Sequence, residues 1–124
     1  MSNEIPTKVR EDVRARDDGK CIVCGAVGHE AMHRIPRRDG GHARSNIALG
    51  CRTCHAKAHK YPLWGYEMGI MASRYVDDVR VVPIRSWRGW ILLDDEGGYT
   101  VIAPRNTRAG DLSPYLPSAA LPEG

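Results

Sequence analysis

Cys21-Ile22-Val23-Cys24 and, further along, Cys51-Arg52-Thr53-Cys54 are two CxxC knuckles, and the stretch that contains them also holds every histidine of the chain: His29, His33, His42, His55 and His59. Four cysteines in so short a chain can form two disulfides, a redox pair, or a metal site. Disulfides require an oxidising compartment, and a redox CxxC requires a surrounding βαβ pattern that this stretch does not show. Two knuckles separated by a longer loop can instead each give two thiolates to one tetrahedral ion. The spacing therefore favours one structural zinc on Cys21, Cys24, Cys51 and Cys54.

The rest of the composition makes such a staple useful. The 124 residues have room for one compact unit, and the chain contains no Phe, so an extensive aromatic core is not expected. Trp64, Trp87 and Trp90 read as core filler for the C-terminal half, with base stacking as the alternative. No apolar run approaches the length of a bilayer span, and Met1-Ser2-Asn3-Glu4 leads into no apolar signal segment. The expectation is a soluble, cytoplasmic protein without a membrane role.

Charge is unevenly distributed. The chain carries 18 basic and 15 acidic residues, but residues 1–60 hold 12 basic against 7 acidic, and the remainder 6 against 8. The basic half is the cysteine half. Arg34, Arg37, Arg38, Arg44, Arg52, Lys57 and Lys60 crowd the knuckles, as phosphate neutralisation requires, although a solvated face would have the same composition.

Element signals divide the chain into four parts. Over residues 1–19, Pro6 with Val9 and Val13 at i,i+4 predicts a short helix ending near Asp17-Asp18-Gly19. In residues 20–60, Ala31 to Pro36 reads as extended, Arg38-Asp39-Gly40-Gly41 as a turn, and Asn46 as the opening of a helical stretch. Cys51 to Lys60, free of Gly and Pro, suits a short helix carrying His55 and His59. In residues 61–103, Pro62 to Met68 predicts a helix stopped by Gly69, and Val79, Val81 and Val82 a strand held to a sheet edge by Pro83. Trp87 to Leu93 and Tyr99 to Ile102, joined by Asp94-Asp95-Glu96-Gly97-Gly98, read as a β-hairpin. Residues 104–124, rich in Pro, Ser, Ala and Gly, read as a flexible tail.

Cys21-x-x-Cys24, His33-Arg34-Ile35-Pro36, Gly40-Gly41, Asn46-Ile47 and Cys51-x-x-Cys54-His55 follow one another in an order and spacing that resembles the HNH endonuclease family, with His33, Asn46 and His55 as its three letters. The resemblance covers about residues 9–60. It implies an α+β fold: a zinc-stapled ββα-metal core, here with an N-terminal helix and a C-terminal β-hairpin extension. The hairpin half resembles small phage HNH proteins, which implies a place in the host cell cytoplasm and a phage terminase as partner.

The resemblance also implies a chemistry. His33 is the general base toward water, His55 a ligand of a catalytic divalent cation (Mg²⁺, Mn²⁺, Ni²⁺ or Zn²⁺), and Asn46 a brace for the turn or the base. Arg34, Arg37, Arg38, Arg44 and Lys57 become contacts to DNA, in double-stranded form. One position departs from the pattern: Met32 stands where the family commonly has a second metal ligand, and a thioether is a poor ligand for Mg²⁺ or Mn²⁺. His59, one turn after His55, is the better substitute, with a plain surface histidine as its alternative, and Glu30 is the poorer one. His29 and His42 read as bland or as phosphate contacts. Three functions remain open on these residues: a metal-dependent DNA endonuclease, a degenerate HNH module that binds DNA without cutting it, and a zinc-stabilised protein-interaction module.

Overall fold

The structure, a computed structural model, describes residues 4–116. The chain enters α1 (Thr7–Arg16) through Pro6, whose fixed φ suits a helix start. Val9 and Val13 bury one stripe of α1 against Ile47 and Leu49. At the end of the helix, Arg16 forms a two-pronged pair with Asp17 (Nε to Oδ1 2.8 Å, Nη2 to Oδ2 2.9 Å). Both side chains are fully buried, which is stabilising only if every remaining donor and acceptor is used. Here they are put to use: Arg16 also donates to the carbonyls of Arg44 (2.8 Å) and Ile47 (2.6 Å), and Asp17 accepts from the Leu49 N–H (2.8 Å).

Those acceptors explain the first departure from the sequence reading. Asn46 does not open a helix; it closes a 3-10 turn, and Ile47–Gly50 is strand β2. β2 runs antiparallel to β1 (Glu30–His33), with Met32 opposite Ala48 and His33 opposite Ile47. All four β2 residues are buried, so the strand lacks the alternation that betrays a half-exposed one and resembles a helix start in sequence. Helix α2 (Arg37–Gly40) is a single turn in the connection between the strands, and α3 (Arg52–Lys60) follows β2 directly. The order β1, β2, α3 is the ββα-metal arrangement.

Helix α4 (Pro62–Met68) ends at Gly69, whose φ is 80°. A Cβ there would lie 1.9 Å from the Pro83 carbonyl oxygen, so only glycine permits both the turn and the approach. Val79–Val81 forms a 3-10 turn capped by Asp78, not the expected strand. The strand comes just after Pro83, as β3 (Ile84–Ser86). It extends the predicted hairpin, β4 (Gly89–Leu93) and β5 (Tyr99–Ala103), into an antiparallel sheet of order β3-β4-β5. Ile84, Ile91 and Leu93 of this sheet share one core with Ile22, Met32, Ala48 and Ala58. The C-terminal part is thus packed on the ββα unit. The expected loose tail is ordered up to residue 116: Leu112 is buried with Trp90 and Ala103, and the Trp90 indole donates to the Thr107 carbonyl (2.8 Å). The remainder of that predicted tail, 117–124, lies outside the described residues. Of the three tryptophans, Trp90 is core, and Trp64 and Trp87 are half-buried.

Arg34 is a second correction. It was expected on DNA, but its guanidinium is buried and donates to the carbonyls of Gly69 (2.9 Å), Ser45 (3.1 Å), Val79 (3.2 Å) and Val82 (2.6 Å). Burial pulls its pKa downward, and the carbonyl dipoles keep it charged. The residue joins the end of β1 to the segment between α4 and β3. Replacing it leaves buried carbonyls unpaired, so Arg34→Met should lower unfolding free energy by about 3–5 kcal/mol. Urea denaturation checks this, and a variant as stable as the parent would contradict the assignment.

Candidate metal centres and catalytic cleft

The first knuckle is a tight turn in which the Cys21 N–H donates to the Ala26 carbonyl (2.6 Å) and Gly25, at φ 77°, donates back to Cys21 (2.9 Å). The second is the start of α3, where the Cys51 sulfur caps the helix by accepting from the Cys54 N–H at 3.3 Å. Together they bring four Sγ atoms within 4.8 Å of one another, with Cys24 and Cys51 3.8 Å apart. A tetrahedral ion with metal–sulfur bonds near 2.3 Å places its sulfurs about 3.8 Å apart. A disulfide needs about 2.05 Å, and all four cysteines are free. Burial pushes the Cys24 and Cys54 thiols up. At Cys51 burial also acts upward, but hydrogen bonds from the Cys54 N–H and the neighbouring thiols outweigh it and bring the group below its ordinary value. The donor set and spacing fit a structural zinc.

A cleft of about 370 Å³ opens between β1 and helices α3 and α4, lined by His33, His55, His59 and Tyr66 over an apolar floor that includes Met71 and Ala72. His55 and His59, four residues apart, lie on one face of α3 with their Nε2 atoms 3.1 Å apart. The other nitrogen of His55, Nδ1, is paired with the Glu30 carboxylate on β1. That hydrogen bond holds the Glu30 carboxyl below its usual range. Two imidazole nitrogens on one ion, at bonds of about 2.1 Å, sit roughly 3.0–3.4 Å apart. A carboxylate on the far nitrogen is the usual way a ligating histidine is oriented. His55 and His59 therefore fit a divalent cation, with Glu30 behind His55 as its brace. Met32 packs in the core and also lines the floor of the cleft: its sulfur lies 2.5 Å from where a Cβ on Gly50 would sit, so Gly50 makes the space it fills.

His33 ends β1, and its Nε2 lies 3.0 Å from Nδ1 of His42. Asn46 is fully buried, accepting from the Ile35 N–H (2.8 Å) and donating to the carbonyls of Ile35 (2.9 Å) and Gly41 (3.0 Å). It braces the loop between β1 and β2 and does not line the cleft. His42, read in the sequence as bland or as a phosphate contact, is the side chain that the structure sets against His33.

The expected DNA contacts separate. Arg38 is exposed, and Arg44 is tied to Asp12 (2.8 Å). The Arg37 side chain lies outside the described ones. Lys57 lies over the Trp64 ring at 4.4 Å and lines a groove beside Cys24 that also includes Arg85 and Arg105, two cations the sequence did not single out. They come from the C-terminal sheet and the segment after it, and only folding places them beside α3.

The family model HNH endonuclease matches residues 21–61, about a third of the chain, which spans both knuckles, both strands and α3. This segment is similar to an HNH endonuclease module and carries both CxxC knuckles, whose four cysteines lie close together. No curated protein and no solved structure matches the chain. No helix among the described residues is long and apolar enough to cross a membrane.

The zinc centre predicts that protein purified without chelator carries one tightly bound zinc per chain, and that chelation or Cys51→Ser unfolds the core. Elemental analysis with circular dichroism decides it. A folded, metal-free chain with four titratable thiols would contradict the site.

Proposed function

We propose that the protein is a metal-dependent endonuclease that hydrolyses phosphodiester bonds of DNA in the cleft between β1 and α3. The observation that carries this reading is that His33 and the pair His55 and His59 line the same cleft, with Glu30 holding His55 from behind.

Water at neutral pH is a weak nucleophile, and the departing 3′ oxygen must accept negative charge. A divalent cation on His55 and His59 would supply charge stabilisation at the phosphate and the departing oxygen. His33 acts on the water. Its imidazole takes the proton while the water oxygen's electron pair forms the new bond to phosphorus. The phosphorus–O3′ bond breaks, and the leaving oxygen keeps its electron pair and takes a proton from solvent. Glu30, by fixing the tautomer of His55, keeps His55 Nε2 directed at His59. Arg38, exposed in the connection that follows His33, is a cation that would neutralise a flanking phosphate, a contact that holds register without reading sequence.

A pair of imidazoles suits Ni²⁺ or Zn²⁺ better than Mg²⁺ or Mn²⁺. Plasmid cleavage should therefore be strongest with Ni²⁺ or Zn²⁺ and abolished by EDTA. His33→Ala should lower the rate by about 100-fold or more while leaving thermal stability near the parent's. Nicking at the parent rate would remove His33 from the mechanism. Glu30→Gln should weaken binding of the catalytic ion by about 10- to 100-fold at an unchanged zinc content, measured by titrating metal against cleavage. A parent that retains DNA but cuts it with none of these ions would instead support the DNA-binding module made credible by the apolar burial of Met32.

A further inference from the structure

We propose that Arg10 and Arg14 of α1, with His29 and Arg52, form a track for the phosphate backbone of double-stranded DNA that continues from the cleft across β1, an inference that rests on the hydrolytic reading of that cleft. Two grooves carry these side chains. The first, of about 240 Å³, lies between α1 and β1 and is lined by Arg10, Arg14, His29 and Ala31. The second, of about 430 Å³, is lined by His29, Arg52 and Thr53 beside Cys51. His29 is common to both grooves, and Ala31 is common to the first groove and the cleft. The four groups therefore lie along one continuous surface that adjoins the catalytic histidines.

The charge on this surface is not balanced at home. All four side chains are exposed, and no carboxylate among the described residues lines either groove. Asp12 of the same helix is spent on Lys8 (3.0 Å) and Arg44 (2.8 Å), whereas Arg10, Arg14 and Arg52 enter no ion pair among the described residues. The Glu30 carboxylate, which follows His29 in the chain, is committed to His55. That hydrogen bond is the main cause holding the carboxyl below its ordinary range, and the nearby charges of Arg52 and His29 add to it. Like charges gathered without counter-charges repel one another, and a polyanion relieves that repulsion while releasing its own bound ions.

Geometry and lining then select the kind of polyanion. Arg10 and Arg14 are four residues apart on one face of α1, an axial separation of about 6 Å, close to the step between successive phosphates of one strand. Their helix is fixed to β2 by Val9, Val13 and the buried Arg16–Asp17 pair, so both guanidinium groups start from a backbone held in place relative to the cleft. No aromatic ring among the described residues lines either groove, so the surface offers no platform on which an unpaired base would stack. What it offers is N–H donors and positive charge. Such a surface fits a duplex, which turns its phosphates outward and keeps its bases inside, and the contacts hold register without reading sequence.

The experiment measures retention of a fluorescent DNA duplex by the zinc-loaded chain, with no other divalent ion, across a salt series. It compares the parent with Arg10→Gln/Arg14→Gln and with Lys20→Gln/Arg108→Gln, a control that removes the same charge elsewhere. Loss of two phosphate contacts should lower the slope of log K against log salt by about 2 and the affinity by about 10-fold or more, whatever the duplex sequence. Arg52→Gln should lower the slope by about 1, and the control should keep the parent's slope. With Ni²⁺ present, Arg10→Gln/Arg14→Gln should raise KM and leave kcat within about twofold of the parent's. Both arginines are exposed, so zinc content and thermal stability should stay at the parent's values. The proposal is overturned if Arg10→Gln/Arg14→Gln keeps the parent's slope, if the control lowers it equally, or if the parent retains no duplex at any salt. A parent that holds duplex through these arginines but cuts it with no ion would overturn the hydrolytic reading alone and leave the track standing.

Discussion

The gathering of four thiols around one point binds the turn after α1 to the first turn of α3, and most of what is distinctive in the fold depends on that tie. Cys21 precedes the strands and Cys51 follows them, so the tie closes the β1–β2 hairpin into a loop. The same sulfur that belongs to the cluster caps α3 at Cys51. Position and direction of the helix are therefore set by the metal ligands, and His55 and His59 are carried into place with it. A core without Phe, assembled from short elements, has few other means of fixing a helix this firmly.

Around this tie, buried ionic groups serve as cross-links in place of apolar bulk. Arg16 with Asp17 ties α1 to β2, and Arg34 ties β1 to the segment entering the C-terminal sheet. Each is tolerable because the surrounding carbonyls and amides satisfy it. Both residues would pass in the sequence for members of a basic surface, and nothing local distinguishes them from Arg38 or Arg52. Their burial is decided by which carbonyls the fold happens to converge on them. For the same reason the cations of the groove beside Cys24 were only partly legible: Lys57 was visible from its place on α3, whereas Arg85 and Arg105 meet it through the docking of a distant sheet.

The parts that could be read early are those governed by local rules. The CxxC spacing, Pro6 and Gly69 as helix boundaries, and the Asp- and Gly-rich turn at 94–98 each act within a few residues, and the structure agrees with each. The parts that misled are governed by pairing at a distance. Ile47–Gly50 is a strand because β1 lies beside it, and residues 104–116 pack because Trp90 offers them an apolar surface. In the cleft, the i,i+4 relation of His55 and His59 is a helical rule and was visible. The contacts of Glu30 with His55 and of His42 with His33 join separate elements, and no spacing in the chain announces them.

The two proposed metal centres differ in chemistry, a closed thiolate site within the fold and an imidazole site facing the cleft. Anomalous diffraction from crystals of the zinc-loaded protein soaked in Ni²⁺ or Mn²⁺ addresses that separation most directly. The account predicts a zinc signal among the four sulfurs and a second, distinct signal of the soaked ion at the Nε2 atoms of His55 and His59, with Glu30 still on Nδ1 of His55. A soaked ion that only displaces zinc from the thiolates, leaving the two histidines without a metal signal, would contradict it.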